Sequence, residues 1–105
     1  MGLFEHFAQN HDEVDQASDE HMGSLTHEMI GGAAGFAAMK AYEAREAKEG
    51  KTTNHAFAKE LLAGFAAAEV DKLCETKGLD FIDREKAKRQ AKENAENMYS
   101  ERYGQ

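Results

Sequence analysis

Four of the five histidines, His6, His11, His21 and His27, lie in the first 28 residues. Seven carboxylates accompany them there (Glu5, Asp12, Glu13, Asp15, Asp19, Glu20 and Glu28), with no Lys or Arg. Imidazole and carboxylate together suit zinc, nickel or copper. His11 and Asp15 are four residues apart, one turn of a helix, and His21 and His27 flank the entry to the first long helical stretch. His11, Asp15, His21 and His27 therefore form a candidate site for a divalent transition metal, within one chain or between chains. Haem held by one of these histidines is a further alternative with no motif behind it. No two histidines stand at i,i+3 or i,i+4, and no Glu-x-x-His of the di-iron bundle type occurs. Solvated histidines on a polar surface thus remain the competing reading.

Other chemistry finds less support. Cys74 has Glu75 beside it, the wrong charge for activating a thiolate, and reads as core filler. Gly31, Gly32 and Gly35 fall inside a helical pattern, and no Lys-Ser/Thr of a phosphate loop follows. The carboxylates are many, but none is placed by sequence in an apolar surrounding that would tune it for proton transfer. No catalytic residue is assigned, and a binding or assembly role is favoured over an enzyme.

The chain has 105 residues, 20 acids and 13 bases, for a net charge of −7. The excess lies wholly in the first quarter, since the rest balances its acids and bases. Residues 84–92 (REKAKRQAK) are locally basic. Acidic and basic stretches can attract one another by about 1 kcal/mol or less per exposed pair. An acidic protein repels phosphate, so nucleic acid is not expected as a partner. No apolar run approaches the roughly 20 residues that span a bilayer, so no membrane span is expected. The opening MGLFEHFAQN lacks the basic and apolar regions of a secretory signal, and its sixth residue is not the Ser or Thr of a myristoylation site. With a single cysteine, the expected compartment is reducing and cytoplasmic.

The elements that must position these groups are helices. Residues 1–23 read as an acidic extension with a short helix, whose Leu3, Phe4 and Phe7 dock on the body of the protein or on a subunit, with membrane insertion the weaker alternative. A three-helix domain over 24–105 follows, with helices at about 24–49, 54–77 and 80–100. Ser24, Asn54 and Asp80 are the expected N-caps, and Gly50 and Gly78 the expected stops. Leu25, Met29, Gly32, Phe36 and Met39 recur at steps of four and three on one face of the first of these helices, and Ala58, Leu62, Ala66 and Val70 on one face of the second. The third carries a narrow stripe of mostly alanine and is expected to be the least buried.

The segment Ala34-Gly35-Phe36-Ala37-Ala38 recurs as Ala63-Gly64-Phe65-Ala66-Ala67. Glycine inside a helix costs up to about 1 kcal/mol relative to alanine, which points to a close neighbouring backbone. Gly31, Gly35 and Gly64, with Phe36 and Phe65 filling space beside them, are expected to bring the first two helices into tight antiparallel contact. Such a slender unit buries few large side chains. The fold class is therefore all-α: an antiparallel helical hairpin, a third charged helix and a short N-terminal helical extension, assembled as a homodimer or small homo-oligomer.

Two runs, SLTHEMIGGAAGFAAMKAYE and AGFAAAEVDKLCETKGLDFIDREKAKRQA, resemble the concanamycin-induced protein C (CipC)-like antibiotic-response proteins of fungi. The resemblance covers about two-thirds of the chain, from Ser24 to about Lys92. It implies an intracellular protein whose abundance rises under chemical or developmental stress. It brings no established reaction and no catalytic residues. The expected function is accordingly self-association and protein binding. The alternative is a metal- or haem-binding protein using the N-terminal histidines, with redox or hydrolytic activity.

Overall fold

An alanine-rich chain with no proline and alternating three- and four-residue apolar steps has little choice but helix. The computed structural model describes residues 2–16, 26–49, 54–78 and 82–104, and among these there is no strand. Four helices follow in order: α1 (Leu3–Gln16), α2 (His27–Glu49), α3 (His55–Lys77) and α4 (Arg84–Tyr103).

Their ends are set by local hydrogen bonds. Thr26 Oγ1 accepts from the Met29 N–H at 3.1 Å and opens α2. Asn54 caps α3 as expected, its Oδ1 taking the Phe57 N–H at 2.9 Å. Gly78 closes α3 in the left-handed conformation at φ 65°, donating its N–H to the Cys74 carbonyl. That geometry favours glycine because a Cβ would crowd the backbone. The last helix starts later than the spacing suggests: Asp83 is its N-cap, accepting from the Lys86 N–H at 3.2 Å. The other expected signals, Ser24, Gly50 and Asp80, lie outside the described residues.

The contacts fix the topology. Gly31 faces Gln90 and Ala91, Gly35 faces Asn94 and Ala95, and Tyr42 meets Tyr99, so α2 and α4 run in parallel side by side. Phe4 meets Phe36, and Asn10 meets Gly32, so α1 runs antiparallel to α2. His55 meets Tyr99 while Asp71 meets Arg84, so α3 runs antiparallel to α4. The result is an up-down-up-down bundle with α2 and α4 in contact along its short diagonal, α1 on one flank and α3 on the other. It measures 43 × 26 × 23 Å.

One chain thus supplies four helices, and the N-terminal stretch provides the fourth. Leu3, Phe4 and Phe7 pack against the core as expected, and Val14, near the other end of α1, is buried within it. The core itself combines Ile30, Met39, Leu62, Val70 and Met98 with eight alanines.

α2 and α3 do pack as an antiparallel pair, but the glycines of the repeated segments are not what joins them, which corrects the expected packing. Gly31 and Gly35 serve α4: a Cβ on Gly31 would lie 2.6 Å from Gln90 Cγ, and one on Gly35 would lie 3.1 Å from the Ala91 carbonyl oxygen. Gly32 serves α1, where the Asn10 carboxamide occupies the space a Cβ would need. Each of the three glycines thereby receives one amide-bearing side chain: Gln90, Asn10 or Asn94. Gly64 faces open space, with nothing within 4 Å of where its Cβ would be. The reason is phase. α3 lays Ala58, Leu62, Ala66, Val70 and Cys74 on the body of the protein, and Gly64, two residues from Leu62 and Ala66, falls on the opposite side. Phe36 lies against Phe4 and His11 of α1, 4.9 and 5.2 Å between ring centroids, and Phe65 is only partly buried.

The expectation that the last helix is the least buried also fails. α4 buries Ala87, Ala91, Asn94, Ala95, Met98 and Tyr99. Its small side chains let it approach the glycine face of α2 while still contacting α3.

Candidate functional site

All three tyrosines and the histidine outside the N-terminal cluster converge at one end of the bundle. α2 brings Tyr42 and Glu43, α3 brings His55 on its first turn, and α4 brings Tyr99, Arg102 and Tyr103. Tyr99 is the hub. Its hydroxyl and His55 Nδ1 are hydrogen-bonded at 2.5 Å. The Tyr42 ring meets it edge-on with centroids 5.7 Å apart, and the Tyr103 ring lies 5.1 Å away. Tyr42 and Tyr99 are buried, whereas His55 is exposed and Tyr103 is 48% exposed.

A charged arc borders these rings. The Tyr103 hydroxyl donates to Glu43 Oε2 at 2.9 Å, and Arg102 Nη1 reaches the same oxygen at 2.6 Å. Burial raises the Tyr103 phenol above its ordinary value of 10.0, and the hydrogen bond to Glu43 and that carboxylate's charge raise it further. Tyr103 therefore carries its proton at neutral pH. The arrangement can do two things chemically: hold phenolic protons against nearby bases, and place oxidisable rings in contact from the core to the surface. Spacing gave no sign of it, because His55 and Tyr99 are 44 residues apart. The available signal was the gathering of every tyrosine on α2 and α4 at helical positions that prove to be level with one another.

The histidines singled out by sequence do other work. His27 Nε2 accepts the Asp83 N–H at 3.0 Å and ties the start of α2 to the cap of α4. His11 lies against the Phe36 ring, nine residues further along α2, roughly 13 Å up the helix axis. The structure therefore does not bring His11 and His27 together. Asp15 is exposed, and its backbone carbonyl accepts from Lys77 Nζ at 2.9 Å. His21 lies outside the described residues. Among the described residues, no three His, Cys, Asp or Glu side chains are grouped to hold a metal ion.

The basic stretch of α4 finds partners on α3. Arg84 lies 3.4 Å from Asp71 and 3.8 Å from Glu75, and Lys88 lies 3.1 Å from Asp71. A separate cleft of about 360 Å³ opens between α1, α2 and α4, with His6, Asn10, Glu28 and Gln90 around a floor of Phe7 and Met29. No described helix is long and apolar enough to cross a membrane.

These features define a small four-helix bundle with an aromatic and charged cluster at one end. A family model described as virulence factor CipC-like matches residues 10–102, and the chain belongs to that family, a domain of unknown function. The match begins within α1 and ends within the last turn of α4, so it spans all four helices. No curated protein and no solved structure matches the chain.

Proposed function

We propose that this chain is a small stress- and antibiotic-response protein that acts by self-association and protein binding rather than by catalysing a reaction. The observation that carries this reading is Gly64. A glycine in the interior of an exposed helix weakens that helix by up to about 1 kcal/mol relative to alanine. At Gly31, Gly32 and Gly35 a neighbouring helix accounts for the missing Cβ, but at Gly64 nothing among the described residues does.

The surroundings of Gly64 suit a second copy of the same helix. Phe57, Leu61, Gly64 and Ala68 follow at steps of four, three and four and share the outward side of α3. Phe57 is 44% exposed, one of two large apolar side chains left so open among the described residues. Two large residues followed by two small ones form a self-complementary pattern. In an antiparallel pair Phe57 of one copy lies against Ala68 of the other, and Leu61 against Gly64. Such an interface is isologous and closes on itself as a dimer. The bundle already has its four helices, so this association joins complete bundles and does not complete one.

Sedimentation velocity of the untagged protein, from micromolar to millimolar concentration, tests the reading. The wild-type protein should dimerise, and Ala68→Glu, a change at an exposed position, should be monomeric with unchanged helical circular dichroism. A wild-type protein that stays monomeric throughout that range removes the proposal.

A further inference from the structure

The cluster around Tyr99 is not used by the self-association proposed above. The chain has no tryptophan, so its three tyrosines are its most readily oxidised aromatic rings, and all three are in one place. Removing an electron from a phenol makes its proton strongly acidic, and the step becomes easy only when a base already holds that proton. Tyr99 has such a base: His55 Nδ1 lies 2.5 Å from the hydroxyl oxygen. Imidazole is a stronger base than the carboxylate that serves Tyr103, and Glu43 Oε2 is already shared with Arg102 at 2.6 Å.

Burial adds two properties. The Tyr99 ring is 3% exposed, which shields a radical formed there from coupling with another molecule. Tyr103, half exposed with its centroid 5.1 Å from that of Tyr99, offers the electron a short path to an oxidant at the surface. His55 is itself exposed, so the proton it receives can be passed to water.

We propose that Tyr99 is a proton-coupled one-electron donor, with His55 as its proton acceptor and small oxygen- or nitrogen-centred radicals as its oxidants. In the step, the Tyr99 O–H bond breaks. The proton moves to His55 Nδ1, which begins as the Nε2–H tautomer. The electron passes to the radical, which becomes its anion. Tyr99 is left as a neutral phenoxyl radical and His55 as an imidazolium, so charge and atoms balance. Tyr103 is a positioning residue in this scheme: it connects Tyr99 to the surface and keeps its own proton, in the hydrogen bond that it donates to Glu43.

Pulse radiolysis of the full chain with the azide radical tests the proposal, following phenoxyl absorption in ordinary and heavy water and trapping the product for electron paramagnetic resonance. In the wild-type protein the phenoxyl should form more slowly in heavy water, and the trapped spectrum should be that of a hydrogen-bonded neutral tyrosyl. His55→Gln keeps a hydrogen-bonding side chain but loses the base. It should slow phenoxyl formation by about tenfold or more and abolish the heavy-water effect. Tyr99→Phe should remove the hydrogen-bonded spectrum, leaving a shorter-lived signal from the other rings. Equal rates in wild type and His55→Gln, or an undiminished spectrum in Tyr99→Phe, overturns the assignment. Absence of a heavy-water effect in the wild-type protein overturns it with no variant needed.

Discussion

Arg102 lies over the ring of Phe4, its guanidinium carbon 4.1 Å from the ring centroid, while its Nη1 stands 2.6 Å from Glu43 Oε2. One side chain from α4 therefore holds the start of α1 and the C-terminal third of α2 together. The Leu3 N–H adds a second tie to α4, donating to Glu101 Oε1 at 2.9 Å. α1 has few contacts with α4 elsewhere, so these two links have a local job: they keep the N-terminal turn on the bundle.

Arg102→Ala should weaken α1 more than it weakens the protein. A cation over an aromatic face and a partly exposed ion pair together contribute about 1–2 kcal/mol. Hydrogen exchange should show the amides of α1 losing protection first, while those of α3 change little. Arg102→Lys keeps the charge but not the flat stack, and should fall between wild type and alanine. Uniform loss of protection across all four helices would mean that Arg102 acts on the whole core.

The glycines should respond in opposite directions. Gly64→Ala, at low concentration where the protein is monomeric, should stabilise by up to about 1 kcal/mol, because open space receives the methyl group. Gly35→Ala should destabilise by about 1–3 kcal/mol. Its Cβ would meet the Ala91 carbonyl oxygen at 3.1 Å and the Ala95 nitrogen at 3.3 Å, both backbone atoms that cannot swing aside. Urea unfolding of the two variants side by side gives the sign directly.

Asp83→Ala should cost about 1 kcal/mol through loss of the α4 cap. His27→Ala should cost less, since the exposed Asp83 N–H can turn to water instead of His27 Nε2. Thermal unfolding monitored by circular dichroism separates the two. A larger loss from the histidine change would show that the tie between α2 and α4 matters more than the cap.

Alkaline titration should single out Tyr103. Its folded value is raised above the ordinary 10.0, so the folded state holds this proton more tightly than the unfolded state does. The resulting stabilisation is present in full below pH 10 and is lost as pH rises through the folded value. Ultraviolet difference titration should show a phenol ionising late, and Tyr103→Phe should remove that phase. Persistence of the late phase in Tyr103→Phe would assign it to another tyrosine.

The sequence was most legible where one residue acts through its own helix. Asn54 as a cap, Gly78 as a stop and the Ala58–Leu62–Ala66–Val70 stripe all follow from local geometry, and the structure has them. Gly64 misled because identical neighbours in sequence do not imply identical neighbours in space. Its phase against Leu62 and Ala66 places it away from the core, whatever the repeat suggests. α4 was undervalued because alanine hides little apolar area per residue, although Ala87, Ala91 and Ala95 are what let two axes come close. The Tyr99 cluster was illegible for a different reason. Its partners come from three helices, and only the joint setting of all three makes His55 and Tyr99 meet. The N-terminal histidines stood out by number, yet His11 and His27 are held at separate heights on α2 by Phe36 and Asp83.

The three side chains seated on Gly31, Gly32 and Gly35 make α2 a notched rod. A neighbour displaced lengthwise by one turn would bring Asn10 level with Phe36 or Glu28, or one of Gln90 and Asn94 level with Met39 or His27, in place of a bare Cα. Alanine-lined surfaces are otherwise smooth and tolerate sliding. In this molecule the notches supply the detent, so alignment is chosen by exclusion, and a chain with so few bulky side chains can still settle on a single arrangement.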